Sequence, residues 1–241
     1  MDQSLNGRTV LVTGANGGLG EQFVQQALAR GARAVYAAAR TPRTWDDPRV
    51  RPLTLDITDA SSVTGAAATA TDVDLVVNNA GIAPAGDSIT GPEDELRRVF
   101  ETNFFGNLRV ATAFAPVLAA NGGGTLLNIL SAAAWINVPT GYAASKAAMW
   151  SATNALRVEL RAQGTQVIGL LVGMVDTPMS ERLTVPKVSA ASVVAQAYDG
   201  VAGGALEVLA DEPTRDLKSR LNTRGEELYP WLDEVLGSFV A

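Results

Sequence analysis

The stretch TGANGGLG, residues 13–20, lies directly between a β-branched run at residues 9–13 and a helical pattern at residues 19–30. In that position glycines allow a tight turn and a close backbone approach to a pyrophosphate, and the helix N-terminus supplies N–H donors. The stretch therefore predicts a dinucleotide-binding turn built on Gly14, Gly18 and Gly20. On the glycine spacing alone, an ordinary turn remains an alternative.

Strand-like and helix-like segments alternate along the rest of the chain. Short apolar or β-branched runs predict strands at residues 9–13, 34–38, 52–55, 74–77, 124–130, 166–172 and 205–209. Longer stretches predict helices at residues 19–30, 59–69, 93–100, 107–120, 142–161 and 189–201. Several strands are apolar at nearly every position, which is typical of a parallel sheet covered on both faces. We expect a single-domain α/β fold over residues 1–241, a Rossmann-type doubly wound parallel sheet of about seven strands with helices on both faces.

Composition excludes several kinds of chemistry. The 241 residues contain no His and no Cys, which rules out imidazole acids and bases, thiolate nucleophiles, disulfides and Cys/His metal sites. No metal site is expected. The formal net charge is -6, so no overall basic field favours nucleic acid or an anionic membrane surface. Any reaction must use hydroxyls, carboxylates, amides, Lys, Arg or a cofactor.

The two ends of the chain carry further expectations. The N-terminus lacks a secretory pattern, and no apolar run approaches the roughly 20 residues that span a bilayer, so we expect a cytoplasmic protein. The tail at residues 225–241 is rich in apolar side chains and is expected to pack on the body, on a neighbouring subunit or at the mouth of a site. These side chains are Leu228, Tyr229, Trp231, Leu232, Val235, Leu236 and Phe239.

The end of the second strand bears on which nucleotide binds. Dinucleotide folds for NAD place an acid there for the ribose hydroxyls, whereas an Arg accommodates the 2′-phosphate of NADP. This strand is followed by Arg40 and Thr41, with Arg43 nearby and no acid between Glu21 and Asp46. NADP(H) is therefore favoured over NAD(H). The alternative is that these arginines are simply solvated.

Tyr142 and Lys146 are four residues apart at the start of a predicted helix, so their side chains project from one face. A phenol is a weak acid at neutral pH, and a neighbouring ammonium stabilises its anion and lowers its pKa. We expect the Tyr142 pKa to be lowered in this way, giving an acid and base that needs no His. Taken alone, the two residues also fit an ordinary surface pair.

With these residues in order, the sequence resembles the short-chain dehydrogenase/reductase family from about residue 8 to at least residue 177. The glycine-rich turn, the Asn-Asn-Ala-Gly segment at residues 78–81 and the Tyr-x-x-x-Lys pair match the family's motifs. The resemblance implies Asn103, Ser131, Tyr142 and Lys146 as catalytic residues. It also implies a cofactor site whose members are Gly14, Asn16, Gly18, Leu19, Gly20, Arg40, Thr41, Asp56, Ile57, Asn79, Ala80, Gly81, Tyr142, Lys146, Gly173, Val175 and Thr177.

The family's chemistry implies a role for each group. Hydride from NADPH attacks a ketone or aldehyde carbon, while Ser131 and Tyr142 hydrogen-bond the oxygen and Tyr142 delivers the proton. Lys146 would bind the nicotinamide ribose, and Asn103 would hold a water that relays protons through Lys146. Thr177 would hold the nicotinamide carboxamide, and Asp56 would contact adenine. Taken singly, Ser131 also fits a strand-end turn and Asn103 a capping or kink-filling amide.

Two departures from the family pattern bear on the geometry. The connection from Ser131 to Tyr142 is shorter than in most members, so its loop must turn more tightly. Val172 stands where the family commonly has Pro, which restores a backbone N–H beside the nicotinamide. Rate or stereochemistry could differ from that of relatives.

The substrate is expected to be a small apolar carbonyl or alcohol compound. Trp135, Val138, Met174 and Leu183 are the expected pocket walls, and no Arg or Lys cluster is evident for a carboxylate. Arg182 and Lys187 are the residues that count against an apolar substrate. Core packing or a subunit contact is the alternative for these side chains.

Other functions remain open. The same site could reduce an imine or an activated C=C bond, or the protein could be an NADP-binding sensor or scaffold without turnover. A pure binder would not need Ser131, which argues against the sensor. The resemblance also implies a homodimer or homotetramer.

Overall fold

The computed structural model describes residues 4–136 and 138–240, except for the side chains of residues 233 and 235–240. The tail side chains Val235, Leu236 and Phe239 therefore lie outside the described residues. The strands are β1 Thr9–Thr13, β2 Ala34–Ala39, β3 Val50–Thr54, β4 Leu75–Asn78, β5 Thr125–Ile129, β6 Gln166–Leu171, β7 Val175–Asp176, β8 Val188–Ser189 and β9 Glu207–Leu209. The helices are α1 Gly18–Ala29, α2 Ala60–Thr69, α3 Glu93–Phe100, α4 Asn107–Ala120, α5 Gly141–Glu159, α6 Ala190–Ala202, α7 Glu212–Arg220 and α8 Gly225–Val240.

Seven strands form one parallel sheet in the order β3-β2-β1-β4-β5-β6-β9, and β7 and β8 form a separate parallel pair. The strand order reverses between β1 and β4, which both end at the same edge of the sheet. In such sheets a ligand binds in the crevice outside the carboxyl ends at this reversal point. The prediction of a Rossmann-type doubly wound sheet is confirmed.

The core lies on both faces of the sheet because successive strand side chains point to opposite sides. Val10 and Val12 pack with residues of α1 and α6 on one face, whereas Leu11 packs with residues of α2, α4 and α5 on the other. Tyr198 of α6 meets Phe23 of α1 edge to face, with ring centroids 5.4 Å apart. This two-sided burial explains why the strands are apolar at nearly every position.

The observed elements differ from the sequence predictions at several places, and the short strands β7 and β8 and the helix α8 are among the elements that were not predicted. β3 begins at Val50, two residues before the predicted start. A π-helical turn at Glu101–Gly106 joins α3 and α4, so the helical backbone is continuous where the sequence suggested two separate helices. α7 was not predicted, because its polar sequence carries a low mean hydropathy and only Thr214 and Leu217 are buried in it.

The C-terminal helix α8 packs through Leu232, which is buried against Leu217 of α7 and Ala132. Tyr229 on the same helix is exposed. No helix in the described part of the chain combines the length and apolar character needed to cross a bilayer.

Candidate active site

The glycine-rich turn closes at the end of β1. Gly14 has φ +66°, and a Cβ there would lie 3.1 Å from the Ala80 Cα. Gly18 has φ +57°, a backbone conformation that disfavours any side chain. A Cβ at Gly20 would overlap the Gly14 carbonyl oxygen. The turn therefore has no side chains at these three positions, at the start of α1. Its backbone fits the close approach of the pyrophosphate of a dinucleotide.

Thr13 ties the turn to the segment after β4. Its Oγ1 accepts hydrogen bonds from the backbone N–H groups of Asn79 and Ala80, at 2.9 and 3.0 Å. Asn79 Nδ2 donates to the Thr13 carbonyl oxygen at 2.9 Å. The two strand ends on either side of the reversal point are thus held together. Thr13 was not predicted as a site residue, because this role depends on a partner 66 residues away.

Asn16 links the turn to the loop after β2. Its Nδ2 donates to the Thr41 carbonyl oxygen at 2.8 Å, and its Oδ1 accepts from the Arg43 backbone N–H at 3.3 Å. The amide of Asn16 therefore shapes the loop that bears the arginines of the expected nucleotide site. Leu19, at the start of α1, is partly buried and packs against the core.

The two arginines of this loop differ. Arg43 forms an ion pair with Glu21 at 2.7 Å, and its guanidinium lies 3.9 Å from the centre of the Trp45 ring. Arg40 is exposed at the end of β2. Arg40 can thus approach a ligand at the carboxyl end of β2. The charge of Arg43 is already neutralised by its ion pair with Glu21.

The segment after β3 carries Asp56 and Ile57. Hydrogen bonds from the Thr58 hydroxyl and backbone N–H, at 2.7 and 2.9 Å, hold the Asp56 pKa below its usual range, and the Arg40 charge adds to the effect. Ile57 is buried, and a Cβ at Gly106 would lie 2.9 Å from its Cγ1. Asp56 therefore remains charged near Arg40, whereas the Ile57 side chain packs in the core.

Asn103 lies in the π-helical turn and is fully buried. Its Nδ2 donates to the Ile82 carbonyl oxygen at 2.9 Å and to Ser145 Oγ at 3.1 Å. Its Oδ1 accepts from the Ile82 backbone N–H at 2.8 Å. Both amide hydrogens are used by the protein, so the Asn103 side chain can bind the expected water only through the second lone pair of Oδ1.

The structure brings Ser131, Tyr142 and Lys146 together beyond the end of β5. Ser131 follows that strand. Its Oγ accepts from the Ala133 backbone N–H at 3.1 Å and donates to the Val172 carbonyl oxygen at 3.5 Å, and its side chain lies near that of Tyr142. Lys146 lies one turn along α5, with its Nζ 5.7 Å from the Tyr142 ring centre. Lys146 Nζ donates to the Ile129 carbonyl oxygen at 2.8 Å. Two hydroxyls and one ammonium therefore face one edge of the sheet.

Burial shifts the pKa values of both α5 groups. It lowers the Lys146 pKa to about 8. It raises the Tyr142 pKa, and the neighbouring Ser131 hydroxyl offsets only part of that rise. The expectation that Lys146 lowers the Tyr142 pKa is therefore wrong in this structure. The reason is that the Lys146 ammonium points to the Ile129 carbonyl, and desolvation of the phenolate outweighs its field.

Asp87 positions the start of α5. Its carboxylate accepts hydrogen bonds from the backbone N–H groups of Gly141 and Tyr142, at 3.1 and 2.7 Å. Thr140 caps the same helix by accepting from the Ala143 backbone N–H at 3.1 Å. Thr140 could have been predicted from the sequence as the N-cap of this helix, because it directly precedes the helical pattern. Asp87 could not, because it lies 55 residues before Tyr142.

The loop after β6 borders the other side of the site. The Gly173 backbone N–H donates to Asp211 Oδ2 at 2.6 Å, and Val175 is buried in β7. Thr177 faces the glycine-rich turn, since a Cβ at Gly18 would lie 3.5 Å from the Thr177 Cβ. The structure thus places Thr177 beside the turn, and its contact with the nicotinamide stays a prediction.

The four expected pocket walls lie in different settings. Trp135 packs edge to face on Trp150, with centroids 6.0 Å apart, and belongs to the apolar cluster under α7 and α8. Val138 and Met174 are partly buried, and Leu183 is 42% exposed. The contacts of Trp135 match the packing alternative, while the role of all four as pocket walls stays a prediction.

The sequence matches the short chain dehydrogenase family over residues 8–187. This chain belongs to the short-chain dehydrogenase family. The match covers the glycine-rich turn, Asn103, Ser131, Tyr142 and Lys146, and it ends before α6.

Individual members of the family are similar over most of the chain. The 1-deoxy-11-beta-hydroxypentalenate dehydrogenase of Streptomyces exfoliatus is 34% identical over 93% of this chain and 90% of its own. The galactitol 2-dehydrogenase (L-tagatose-forming) of Cereibacter sphaeroides is 33% identical over 74% and 76%. A crystal structure of a short chain dehydrogenase from Burkholderia cenocepacia in complex with NADP has 34% identity and a TM-score of 0.89, covering 96% of this chain and 99% of that one.

Membership of the short-chain dehydrogenase family makes this protein an oxidoreductase that uses a nicotinamide cofactor and acts on a small molecule. The bare backbone at Gly14 and Gly18 fits such a cofactor at the start of α1. Gly14, Gly18, Asn79 and Ala80 would hold its nucleotide part, and Lys146 and Thr177 would hold its nicotinamide part.

Proposed function

We propose that the protein reduces a ketone or aldehyde to an alcohol with NADPH, in a reversible reaction. The observation that carries this proposal is that the Ser131 and Tyr142 side chains lie near each other, beside a buried Lys146 and beyond the end of β5. This arrangement offers a proton donor and a second hydroxyl to one substrate oxygen.

The cofactor, when bound, supplies the hydride. Ser131 and Tyr142 hydrogen-bond the carbonyl oxygen, and the Tyr142 hydroxyl donates its proton as negative charge develops there. Burial keeps the Tyr142 phenol protonated at neutral pH, as a proton donor in the reductive direction must be.

Lys146 and Asn103 would return a proton to Tyr142. A Cβ at Gly81 would lie 3.2 Å from Asn103 Oδ1 and 3.9 Å from Lys146 Nζ, so both groups border the same backbone position. With a pKa of about 8, Lys146 can lose and regain a proton near neutral pH. The two residues would thus relay a proton from solvent towards the buried Tyr142 hydroxyl.

Preference for NADPH is supported by Arg40. Arg40 is exposed at the end of β2, where a 2′-phosphate would lie. Arg43 is instead engaged in an ion pair with Glu21. The Burkholderia cenocepacia structure at 34% identity is described in complex with NADP.

A small, neutral, apolar carbonyl compound is the proposed substrate. Two lysines near Ser131 and Trp135 are already engaged, since Lys146 bonds Ile129 and Lys218 pairs with Glu207. A strong preference for acidic keto compounds, bound through Arg182 or Lys187 in the loop before β8, would overturn this choice. That both curated relatives are named as dehydrogenases supports interconversion of alcohol and carbonyl.

The test is NADPH consumption with a panel of neutral ketones and aldehydes, run in parallel with NADH. Imines and enones form the comparison panel. Tyr142→Phe should lower kcat by a factor of about 10² or more, since it removes the proton donor. Tyr229→Phe, at an exposed position on α8, is the matched control and should retain the wild-type rate. An unchanged kcat in Tyr142→Phe would contradict the role of Tyr142 as proton donor.

A further inference from the structure

α7 lies beyond residues 8–187, the part of the chain that matches the family. Its N-cap contacts the loop after β6, and its last turn contacts Trp135 in the loop after Ser131. Its N-cap, Asp211, is only 5% exposed. Asp211 Oδ1 accepts from the Thr214 backbone N–H at 2.7 Å, which caps the helix. Asp211 Oδ2 accepts from the Gly173 backbone N–H at 2.6 Å, at the start of the loop after β6.

The second oxygen of Asp211 does more than a helix cap requires. A cap needs one side-chain acceptor, as at Asp59, where Oδ1 alone bonds Ser61. Burial of a carboxylate is costly unless it is fully hydrogen-bonded. A Cβ at Gly173 would lie 3.2 Å from Asp211 Oδ2. Because glycine has no side chain, the Asp211 carboxylate can approach the Gly173 backbone N–H closely. The geometry fixes the position from which residues 173–177 leave the sheet.

The last turn of α7 holds the loop after Ser131. Lys218 Nζ lies 4.4 Å from the Trp135 ring centre and 5.7 Å from that of Trp150. It forms an ion pair with Glu207 of β9 at 2.8 Å, and Trp150 Nε1 donates to the same carboxylate at 3.0 Å. The Lys218 ammonium therefore lies between two indoles and a carboxylate. Its contacts connect the loop after Ser131, called here the Trp135 loop, to Trp150 of α5 and Glu207 of β9.

We propose that α7 is a positioning helix for the active site. Asp211 sets the loop that carries Thr177, and thereby the fit of the cofactor. Lys218 sets the Trp135 loop, and thereby the position of Ser131 against Tyr142. The two anchors lie seven residues apart, about two helical turns, so one rigid element fixes both sides of the crevice. This inference rests on the proposed function, because it assigns Thr177 and Ser131 their roles.

Asp211→Ser tests the first anchor. Serine is as good an N-cap as aspartate but is too short to reach Gly173, so the helix should remain while the second contact is lost. We expect the NADPH dissociation constant, measured by fluorescence titration without turnover, to rise about tenfold, the order of one hydrogen bond to a charged group. Glu212→Gln removes the neighbouring, 82% exposed carboxylate and should bind NADPH within about twofold of wild type.

If the Asp211→Ser variant fails to fold, Asp211→Asn, which keeps the side-chain volume, replaces it in the same NADPH titration. Binding of NADPH by either folded Asp211 variant at wild-type strength would overturn the role of Asp211. Failure of the wild type to bind NADPH or NADH would overturn the proposed function as well, so the two failures are distinguishable.

Lys218→Met tests the second anchor. It keeps the apolar stem between the indoles but removes the ammonium. We expect kcat for the preferred carbonyl compound to fall about tenfold with the NADPH dissociation constant unchanged, and the tryptophan emission to shift. Lys218→Arg, which keeps the charge, should restore at least half of the rate. A wild-type kcat in Lys218→Met would show that the loop after Ser131 does not depend on α7.

Discussion

Asp87 Oδ2 accepts a hydrogen bond from the Tyr142 backbone N–H at 2.7 Å, so a carboxylate 55 residues upstream fixes the first turn of the helix that bears the proposed proton donor. Its other oxygen accepts from Gly141. A negative charge at a helix N-terminus also interacts favourably with the helix dipole. The position of the Tyr142 side chain therefore depends on a residue that does not take part in proton transfer.

Asp87→Ala should lower both stability and rate. Loss of the two hydrogen bonds should cost about 1 kcal/mol of unfolding free energy, and the shift of Tyr142 should reduce kcat about tenfold with little change in the cofactor KM. Urea denaturation and steady-state kinetics measure the two effects. Asp94→Ala, in the first turn of α3 and exposed, is the control. A stability loss with an unchanged kcat would contradict the positioning role.

Lys146 should make stability depend on pH. Its pKa is lowered by burial from 10.5 to about 8, so the unfolded chain binds more protons than the folded one between those values. Stability therefore rises as pH rises through this window, and the Lys146 contribution is lost as pH falls through 8. The full difference is roughly 3 kcal/mol by linkage.

Urea denaturation of wild type and Lys146→Met at pH 7 and pH 10 measures this dependence. The wild type should gain stability relative to Lys146→Met over that range. Lys187→Met, in the loop before β8, serves as the control and should track the wild type. Parallel profiles for wild type and Lys146→Met would show that the buried ammonium is not desolvated as the structure indicates.

Arg40 and Arg43 should differ in their effect on cofactor choice. Arg40→Ala should reduce kcat/KM for NADPH by about tenfold or more while leaving NADH nearly unaffected, because one charge-assisted contact to the 2′-phosphate is lost. Arg43→Ala should leave the NADPH to NADH ratio within about twofold, since Arg43 is paired with Glu21 and stacked on Trp45. The reverse order of effects would assign the phosphate to Arg43.

Gly20 and Gly65 provide a paired test of packing. Gly20→Ala should destabilise the fold by about 2 kcal/mol, because the added methyl group meets the Gly14 carbonyl oxygen. Gly65→Ala should stabilise it by about 1 kcal/mol, since nothing lies within 4 Å of its Cβ position and alanine favours the middle of α2. Thermal unfolding of the two variants checks both signs. A tolerated alanine at 20 would mean that the turn is looser than described.

Local pattern was enough to predict most of the fold. The predicted strand at residues 9–13 and the predicted helix at residues 107–120 have the observed bounds, because continuous apolar runs and long periodic stretches are decided by short-range burial. α7 was missed because its polar sequence packs only through a few residues and is held in place by Gly173 and Trp135. The π-helical turn was missed because Asn103 is held there by Ile82 and Ser145.

By itself, the sequence determined the alternating strands and helices, the bare glycine turn and the spacing of Tyr142 and Lys146, because each depends on neighbours a few residues apart. Only the tertiary structure decided that Arg43 pairs with Glu21 while Arg40 stays exposed, and that Asp87 and Asp211 hold the backbone on either side of the crevice. It also decided the pKa of Tyr142, which burial raises against the direction that its neighbour Lys146 suggested. Desolvation and long-range hydrogen bonds depend on what the whole chain brings near a group, and spacing along the chain does not record that.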